Sequence, residues 1–206
     1  LFPYTTLFRS QNSSGASWFS GAVNATTREM YSIIKWTNPQ HVKSATVVAW
    51  NLDTKNRRII SGLYPDPAAG QVAFGSGYES PQPNNVMPLQ PLTGANTLRI
   101  GPDSMIYTYG GGTGESTDDQ REIVRIDPAT GVRTLVWKAQ NADTGDLTAT
   151  FGQCFRPDAF GGLQTVGLNG QSLEIGPDGA YYMGFRGARD GDGIIAISPD
   201  GLTCSY

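Results

Sequence analysis

A repeat with a period of 75 residues constrains this chain more than any other feature. The hexapeptide LRIGPD at residues 98–103 returns as LEIGPD at residues 173–178, and a short aromatic stretch follows each copy, MIYTY at 105–109 and AYYMG at 180–184. A second matched pair follows, IVRIDPATG at 123–131 and IIAISPDG at 194–201. Self-similarity at a fixed spacing is typical of proteins built from stacked copies of one supersecondary unit.

An earlier copy of the same unit is recognisable in its second half. The segments VVAWNL at 47–52 and RRII at 57–60 flank the turn DTKN at 53–56. Ile60 precedes Leu135 by 75 positions, and Met30 precedes Met105 by the same interval. Two and a half units therefore agree in register.

Each unit predicts four short strands, which we call A to D, because its segments have strand length and are rich in β-branched and aromatic residues. The A–B turn carries Pro-Asp followed by Ser104 or Gly179, and the C–D turn ends in Gly131 or Gly201. Proline presets φ, Asp bonds to its own turn and glycine accepts positive φ, so both turns suit tight hairpins. Ser104 departs from this pattern and is expected to fit a left-handed position less well.

Four-stranded antiparallel units at a fixed period, none able to bury its faces alone, predict an all-β fold that forms part of a β-propeller. We place its blades approximately at 25–62, 96–138 and 171–206, with long inter-blade loops at 63–95 and 138–170. The Tyr, Trp and Ile side chains are expected to pack between adjacent sheets. An aromatic platform for a ligand is the alternative.

The first ten residues do not fit this repeat. Residues 1–10, LFPYTTLFRS, resemble the translated sequencing adapter found at the edges of environmental (metagenomic) open reading frames, and we exclude them from the fold. We interpret residues 11–206 as an incomplete β-propeller domain, a fragment of a longer protein.

Strand parity predicts where a ligand binds. Strands of a meander alternate in direction, so the tight A–B and C–D turns share one end of each sheet, and the long B–C and D–A connections share the other. Binding residues concentrate on loops that a rigid scaffold holds. We therefore expect a small molecule, a carbohydrate or a protein to bind at the long-loop face.

Candidate site residues are few. Arg99 and Glu174 occupy the same position of strand A in successive units, where polar side chains can point into a central channel. The single histidine, His41, lies in a B–C loop where a general base is geometrically possible. Acidic residues in two equivalent B–C loops form either a solvated rim or a site for a hard cation such as calcium: Glu115, Asp118 and Asp119 in one, Asp190 and Asp192 in the other.

The composition excludes some classes of partner. The net charge of −3 provides no basic field for nucleic acid, and no apolar run reaches the length of a membrane span. Cys154 and Cys204 are either two buried free thiols or a disulfide formed in an oxidising compartment.

The repeated Gly-Pro-Asp strand pair at 96–137 and 171–201, with its Ile-x-Arg-Ile-Asp-Pro-x-x-Gly continuation, resembles six-bladed propellers of the NHL, SMP-30/gluconolactonase and glucose/sorbosone dehydrogenase type. The resemblance implies a propeller; it implies either a metal-dependent lactonase or a quinone-dependent sugar dehydrogenase only as alternatives, since no active-site motif is matched. Our leading hypothesis is an extracytoplasmic or secreted ligand-binding propeller. A structural or adhesive repeat array is a further alternative.

Overall fold

The computed structural model describes residues 17–37, 43–66, 70–79, 94–111, 121–138, 155–157, 163–165, 172–187, 191–201 and 203–205. These residues form strands and turns, and no helix occurs among them. In particular, the described segments include no helix that is long and apolar enough to cross a bilayer.

The strands group into three larger sheets and one small hairpin. The first sheet has the order β1-β2-β3-β4-β5, with β1 Ser17–Asn24, β2 Glu29–Thr37, β3 Lys43–Asn51, β4 Arg57–Asp66 and β5 Gly70–Phe74. The second has the order β6-β10-β9-β8-β7, with β6 Ser76–Glu79, β7 Gly94–Ile100, β8 Ile106–Gly111, β9 Arg121–Ile126 and β10 Val132–Lys138. The third has the order β13-β14-β15-β16, with β13 Ser172–Ile175, β14 Tyr181–Gly187, β15 Gly191–Ile197 and β16 Cys204–Ser205. The hairpin pairs β11 Phe155–Pro157 with β12 Leu163–Thr165.

Each large sheet contains one four-stranded antiparallel meander, as the repeat predicts. Strands A to D are β7 to β10 in the second sheet and β13 to β16 in the third. The first sheet provides β1 to β4, and its strand A lies ahead of residue 25, the approximate start that the sequence indicated for the first unit.

The segment 63–95, expected to be a loop throughout, contains regular structure. Strand β4 continues to Asp66, β5 adds a fifth strand to the first sheet, and β6 pairs in parallel with β10 of the second. Gly75 joins β5 to β6 with a φ of 76°, and a Cβ there would lie 2.3 Å from the Gly131 carbonyl oxygen. The chain thus passes from one sheet to the next where only glycine fits. Strands β11 and β12 likewise lie within the segment 138–170, which was also expected to be a loop.

The three sheets stack face to face through two apolar cores. The first core joins the first sheet to the second and includes Tyr31, Ile33, Val47, Ala49, Ile60, Leu98, Ile106, Val124, Ile126 and Leu135. The second core joins the second sheet to the third and includes Tyr107, Tyr109, Ile123, Trp137, Leu173, Tyr181, Met183, Ile195 and Ile197. The aromatic and isoleucine side chains therefore pack between sheets, as expected.

Neighbouring sheets approach each other along their A strands. Strand β7 contacts both β1 and β13, so the three A strands are neighbours at one edge of the stack.

Direct bonds show that the tight turns share one end of their sheet. In the first sheet, Arg28 of the A–B turn forms an ion pair with Asp53 of the C–D turn at 2.7 Å, and its carbonyl accepts the Leu52 N–H. In the second sheet, Asp103 of the A–B turn accepts a bond from Arg125, near the end of strand C. At the opposite end, Lys138 pairs with Glu122, so the chain enters strand C and leaves strand D on the same side.

Cys204 in β16 is disulfide-bonded, and Cys154 is the other of the two cysteines in the sequence. Of the two alternatives that the sequence left open, free thiol or disulfide, the disulfide holds for Cys204, and no free cysteine occurs among the described residues.

The A–B turns allow a test of the left-handed position. Ser104 has a φ of 63°, whereas its counterpart Gly179 has a φ of 83°. An L-residue in this region is strained by about 1 kcal/mol. We expect Ser104→Gly to raise the free energy of unfolding by about 1 kcal/mol, measured by urea denaturation.

Gly179→Ser, the reverse substitution at the equivalent position, is the control. A Cβ at Gly179 would make only an ordinary contact with Pro199, at 3.6 Å, so the backbone conformation alone determines the effect. We expect it to lower the free energy of unfolding by about the same 1 kcal/mol. Equal stability of Ser104→Gly and the parent chain would contradict this account.

Candidate functional site

The structure brings together the two residues that the sequence placed at equivalent positions of strand A. Arg99 Nη2 lies 2.6 Å from Glu174 Oε1, and Arg99 Nε donates to the same oxygen at 2.8 Å. The remaining terminal nitrogen of Arg99 donates to its neighbour's carbonyl, at Leu98. The pair links the A strands of the second and third sheets, β7 and β13.

This pair remains accessible to solvent. The side chain of Arg99 is 31% exposed and that of Glu174 is 66% exposed. The hydrogen bond from Arg99 holds the pKa of Glu174 below its usual value, so the carboxylate is charged at neutral pH. Both residues lie next to the tight A–B turn, away from the end where the long connections leave.

The other predicted site residues are not tested. His41, Glu115, Asp118, Asp119 and Asp190 lie outside the described residues, and Asp192 is placed in β15 by its backbone alone. Within the described ranges, no group of three or more His, Cys, Asp or Glu side chains is positioned to hold a metal ion.

A cleft that the sequence did not indicate lies between the second and third sheets. Its volume is about 490 Å³, and it opens at the tight-turn end of both sheets. Its walls combine charged, aromatic and apolar side chains: Pro102, Asp103, Tyr107, Arg125, Thr134, Leu135, Val136, Ile175, Gly179, Tyr181, Pro199 and Asp200.

Asp103 organises the polar part of the cleft. One carboxylate oxygen accepts the Met105 backbone N–H at 3.1 Å. The other accepts the Tyr107 hydroxyl at 2.9 Å and Arg125 Nε at 3.1 Å. Burial alone would raise the pKa of Asp103, but these three donors outweigh it and hold the pKa below its usual value. The carboxylate is therefore a fixed negative charge.

Two buried tyrosines form the back of the cleft. The rings of Tyr107 and Tyr181 are 5.5 Å apart between centroids and inclined by 51°. Burial raises the pKa of both phenols, so each stays protonated and its hydroxyl acts as a hydrogen-bond donor. Tyr181 donates to the Pro199 carbonyl at 3.4 Å.

Sequence reasoning treated the residues of this cleft as structural. Asp103 belongs to the repeated Gly-Pro-Asp turn, and Arg125 belongs to the segment that follows it. The one signal in the sequence was a difference between copies: Arg125 of IVRIDP corresponds to an alanine, Ala196, in the matched segment IIAISP.

Comparison with known proteins adds little. No family model matches the sequence, and no curated protein matches it. Two solved structures are similar at a low level, both of candidate 6-phosphogluconolactonases. The one from Bacteroides uniformis is 13% identical, with 90% of this chain and 69% of that chain covered and a TM-score of 0.30. The one from Bacteroides fragilis is 15% identical, with 96% and 78% covered and a TM-score of 0.30. Similarity at this level supports no conclusion about this chain.

The lowered pKa of Asp103 predicts acid sensitivity of the turn end. As the pH falls below about 4, an unfolded aspartate takes up a proton before the folded one does, so the free energy of unfolding decreases. We expect Asp103→Asn to flatten this decrease between about pH 5 and 2. At neutral pH it should cost about 0.5–1 kcal/mol, because the partly exposed pair with Arg125 is screened by solvent. Urea denaturation at each pH measures both effects.

Asp178→Asn is the matched control. Asp178 occupies the same turn of the third sheet and accepts the Ala180 N–H, but Ala196 stands there in the place of Arg125. We expect this variant to lose less stability at neutral pH than Asp103→Asn, because no contact with an arginine is removed. Equal losses in the two variants would contradict a stabilising role of the Arg125–Asp103 contact.

Proposed function

We propose that this chain is part of a β-propeller that binds a small polyhydroxylated ligand, a carbohydrate or a sugar derivative, in a channel lined by the A strands. The observation that carries the proposal is the Arg99–Glu174 pair at the edge where β1, β7 and β13 are neighbours. Sheets that stack face to face and converge along one strand are arranged as propeller blades are, around an axis.

The chemistry of the pair supports the class of ligand. Arg99 only donates hydrogen bonds, and the charged Glu174 only accepts them. A sugar hydroxyl does both, so neighbouring hydroxyls can bond to both side chains without breaking the ion pair between them. An anion would be repelled by Glu174, and a cation by Arg99.

The long connections supply the second part of the proposal. In the first two sheets, the tight turns lie together at one end and the long connections leave from the other. We propose that these connections surround one mouth of the channel, and that Arg99 and Glu174 line the channel at its opposite end, beside the tight turns.

We also propose that the protein is secreted or extracytoplasmic. The disulfide at Cys204 supports this location, because structural disulfides persist in oxidising compartments and are rare in the cytosol.

The enzymatic alternatives, a metal-dependent lactonase and a quinone-dependent sugar dehydrogenase, depend on residues outside the described ranges. His41 and the acidic B–C loops would have to supply the ligands and the general base. They stay alternatives to a binding function, as does a structural or adhesive array, which needs no concave site.

The polar pair can be tested with a panel of neutral monosaccharides, sugar acids and sugar lactones, using calorimetry on the full chain. We expect saturable binding of at least one member. Replacing Arg99 with Gln should weaken that binding by about 10-fold or more, since a hydrogen bond to a charged group contributes about 1.5–3 kcal/mol. Glu174→Gln should have a similar effect.

Arg28→Gln is the matched control, because Arg28 also forms an ion pair with a carboxylate but lies on the exposed turns of the first sheet. It should leave the affinity unchanged. The proposed site is wrong if no member of the panel binds, or if Arg28→Gln weakens binding as much as Arg99→Gln does.

Calcium provides a separate test of the acidic loops. If Asp190 and Asp192 hold a hard cation, calcium at one hundred times its dissociation constant should stabilise the chain by about 2.7 kcal/mol. The double variant Asp190→Asn, Asp192→Asn should lose this stabilisation. No shift of the melting temperature at millimolar calcium would count against the metal site and against both enzymatic alternatives.

A further inference from the structure

The two junctions between sheets carry different residues in equivalent rows. Each row runs across strands B, C and D beside the tight turns, and strand pairing defines its members. They are Tyr31, Ala49 and Arg58 in the first sheet, and Tyr107, Arg125 and Thr134 in the second. Strand pairing thus aligns Arg58 with Thr134, whereas the 75-residue spacing of the sequence would align it with Arg133. The turn contacts agree with the pairing, because Gly131 lies against the Ile60 carbonyl and Gly201 against that of Val136. The arginine of this row is in strand D of the first sheet, as Arg58, and in strand C of the second, as Arg125. In strand D of the second sheet the row has the short side chain of Thr134.

In the first junction, Arg58 spans the gap between the sheets. Its Nη1 donates to the Pro128 carbonyl of the second sheet at 2.7 Å. Its Nε and Nη2 donate to the Glu29 carboxylate at 3.0–3.3 Å, and that carboxylate also accepts the Tyr31 hydroxyl at 2.9 Å. A guanidinium therefore fills this position, held between a turn carbonyl and a carboxylate.

In the second junction, the same kinds of acceptor line an open cleft. Pro199 holds the turn position of Pro128, and Asp103 holds the tyrosine-bonded carboxylate. The Pro199 carbonyl accepts the Tyr181 hydroxyl at 3.4 Å, longer than a normal O–H···O bond. Thr134 is too short to span the cleft, whose volume is about 490 Å³.

The charges around the cleft favour a cation. Its lining includes the carboxylates of Asp103 and Asp200 and the single guanidinium of Arg125. The lining thus carries one more negative than positive charge, which favours a cation over an anion.

We propose that this cleft binds a guanidinium group from outside the chain, in the position that Arg58 fills in the first junction. The planar fork of a guanidinium matches a carbonyl and a carboxylate at the same time, which the compact ammonium of lysine does not. The source is either a small guanidinium compound or an arginine side chain of a peptide. The site is separate from the Arg99–Glu174 pair, so it stands independently of the proposed carbohydrate ligand.

The direct test is titration of the full chain with N-acetyl-arginine amide, followed by calorimetry or by NMR shifts of the tyrosines. The neutral citrulline analogue, which has nearly the same shape, and the lysine analogue are the controls. We expect saturable binding of the arginine probe with a dissociation constant on the order of 1 mM, and at least 10-fold weaker binding of both controls. Equal affinity for the three probes, or no saturation by any, would overturn the proposal.

Methylguanidinium and an arginine-containing tripeptide distinguish the two sources. If methylguanidinium binds as tightly as the tripeptide, the cleft takes small guanidinium compounds. If only the tripeptide binds with the affinity of the arginine probe or better, the cleft takes an arginine of a peptide chain. Either result requires the guanidinium and supports the proposed chemistry.

A variant that fills the cleft from within provides the second measurement. Thr134→Arg recreates the row position of Arg58 and should abolish binding of the arginine probe while raising the melting temperature by about 2–4 °C. Thr134→Gln, which adds length without charge, should retain most of the binding. If Thr134→Arg binds the probe as the parent chain does, the cleft is not the site.

Discussion

Coverage of each sheet by the next is the constraint on which the rest of this structure depends. A four-stranded sheet has two faces and cannot bury either alone. Leu98 and Leu173, at equivalent positions of strand A, are both fully buried because the preceding sheet covers each of them. On the far face of the third sheet, which no described sheet covers, equivalent residues are exposed. Tyr182 and Ile194 are 39% and 67% exposed there, whereas Tyr107 and Ile123, at the same positions of the second sheet, are 5% and 0% exposed. Burial at these positions thus follows from stacking and not from the strand itself.

Close stacking also explains why glycine stands at the C–D turns. A Cβ at Gly131 would lie 2.1 Å from the Ile60 carbonyl oxygen, and one at Gly201 would lie 2.1 Å from that of Val136. Each turn therefore presses its backbone against strand D of the preceding sheet. Arg133 adds a polar tie at the first junction, where its buried Nε donates to the Ser61 hydroxyl at 2.8 Å. A buried charged donor that bonds across two sheets tolerates only one lateral placement, so it fixes the register of the stack as well as adding to its stability.

The strands and turns of the repeat were predictable because their signals are local and occur more than once. Alternating apolar residues, Pro-Asp turns and a terminal glycine indicate β7 to β10 and β13 to β16 with no knowledge of the neighbours. Strands β5 and β6 were not predictable, since they are short edge strands whose pairing partner, rather than their own composition, makes them strands. The disulfide at Cys204 depends on how distant segments meet, which two cysteines alone do not reveal.

For the candidate site, the sequence identified Arg99 and Glu174 through their shared position, and the structure joined them. It did not identify the cleft, because no single motif contains the residues from two sheets that line it.

The cleft illustrates how copies of one repeated unit come to differ. Residues shared by the second and third sheets, such as the turn glycines Gly131 and Gly201 and the inter-sheet leucines Leu98 and Leu173, maintain the stack. A binding site needs a departure from that equivalence. Moving one arginine from strand D to strand C keeps a cation beside the tyrosine and its carboxylate, so the network around Asp103 persists. The same difference places the short side chain of Thr134 at the position where the Arg58 guanidinium spans the first junction. The fold is unchanged and a cleft appears, which is why the differences between copies carry more information about ligands than the repeat itself.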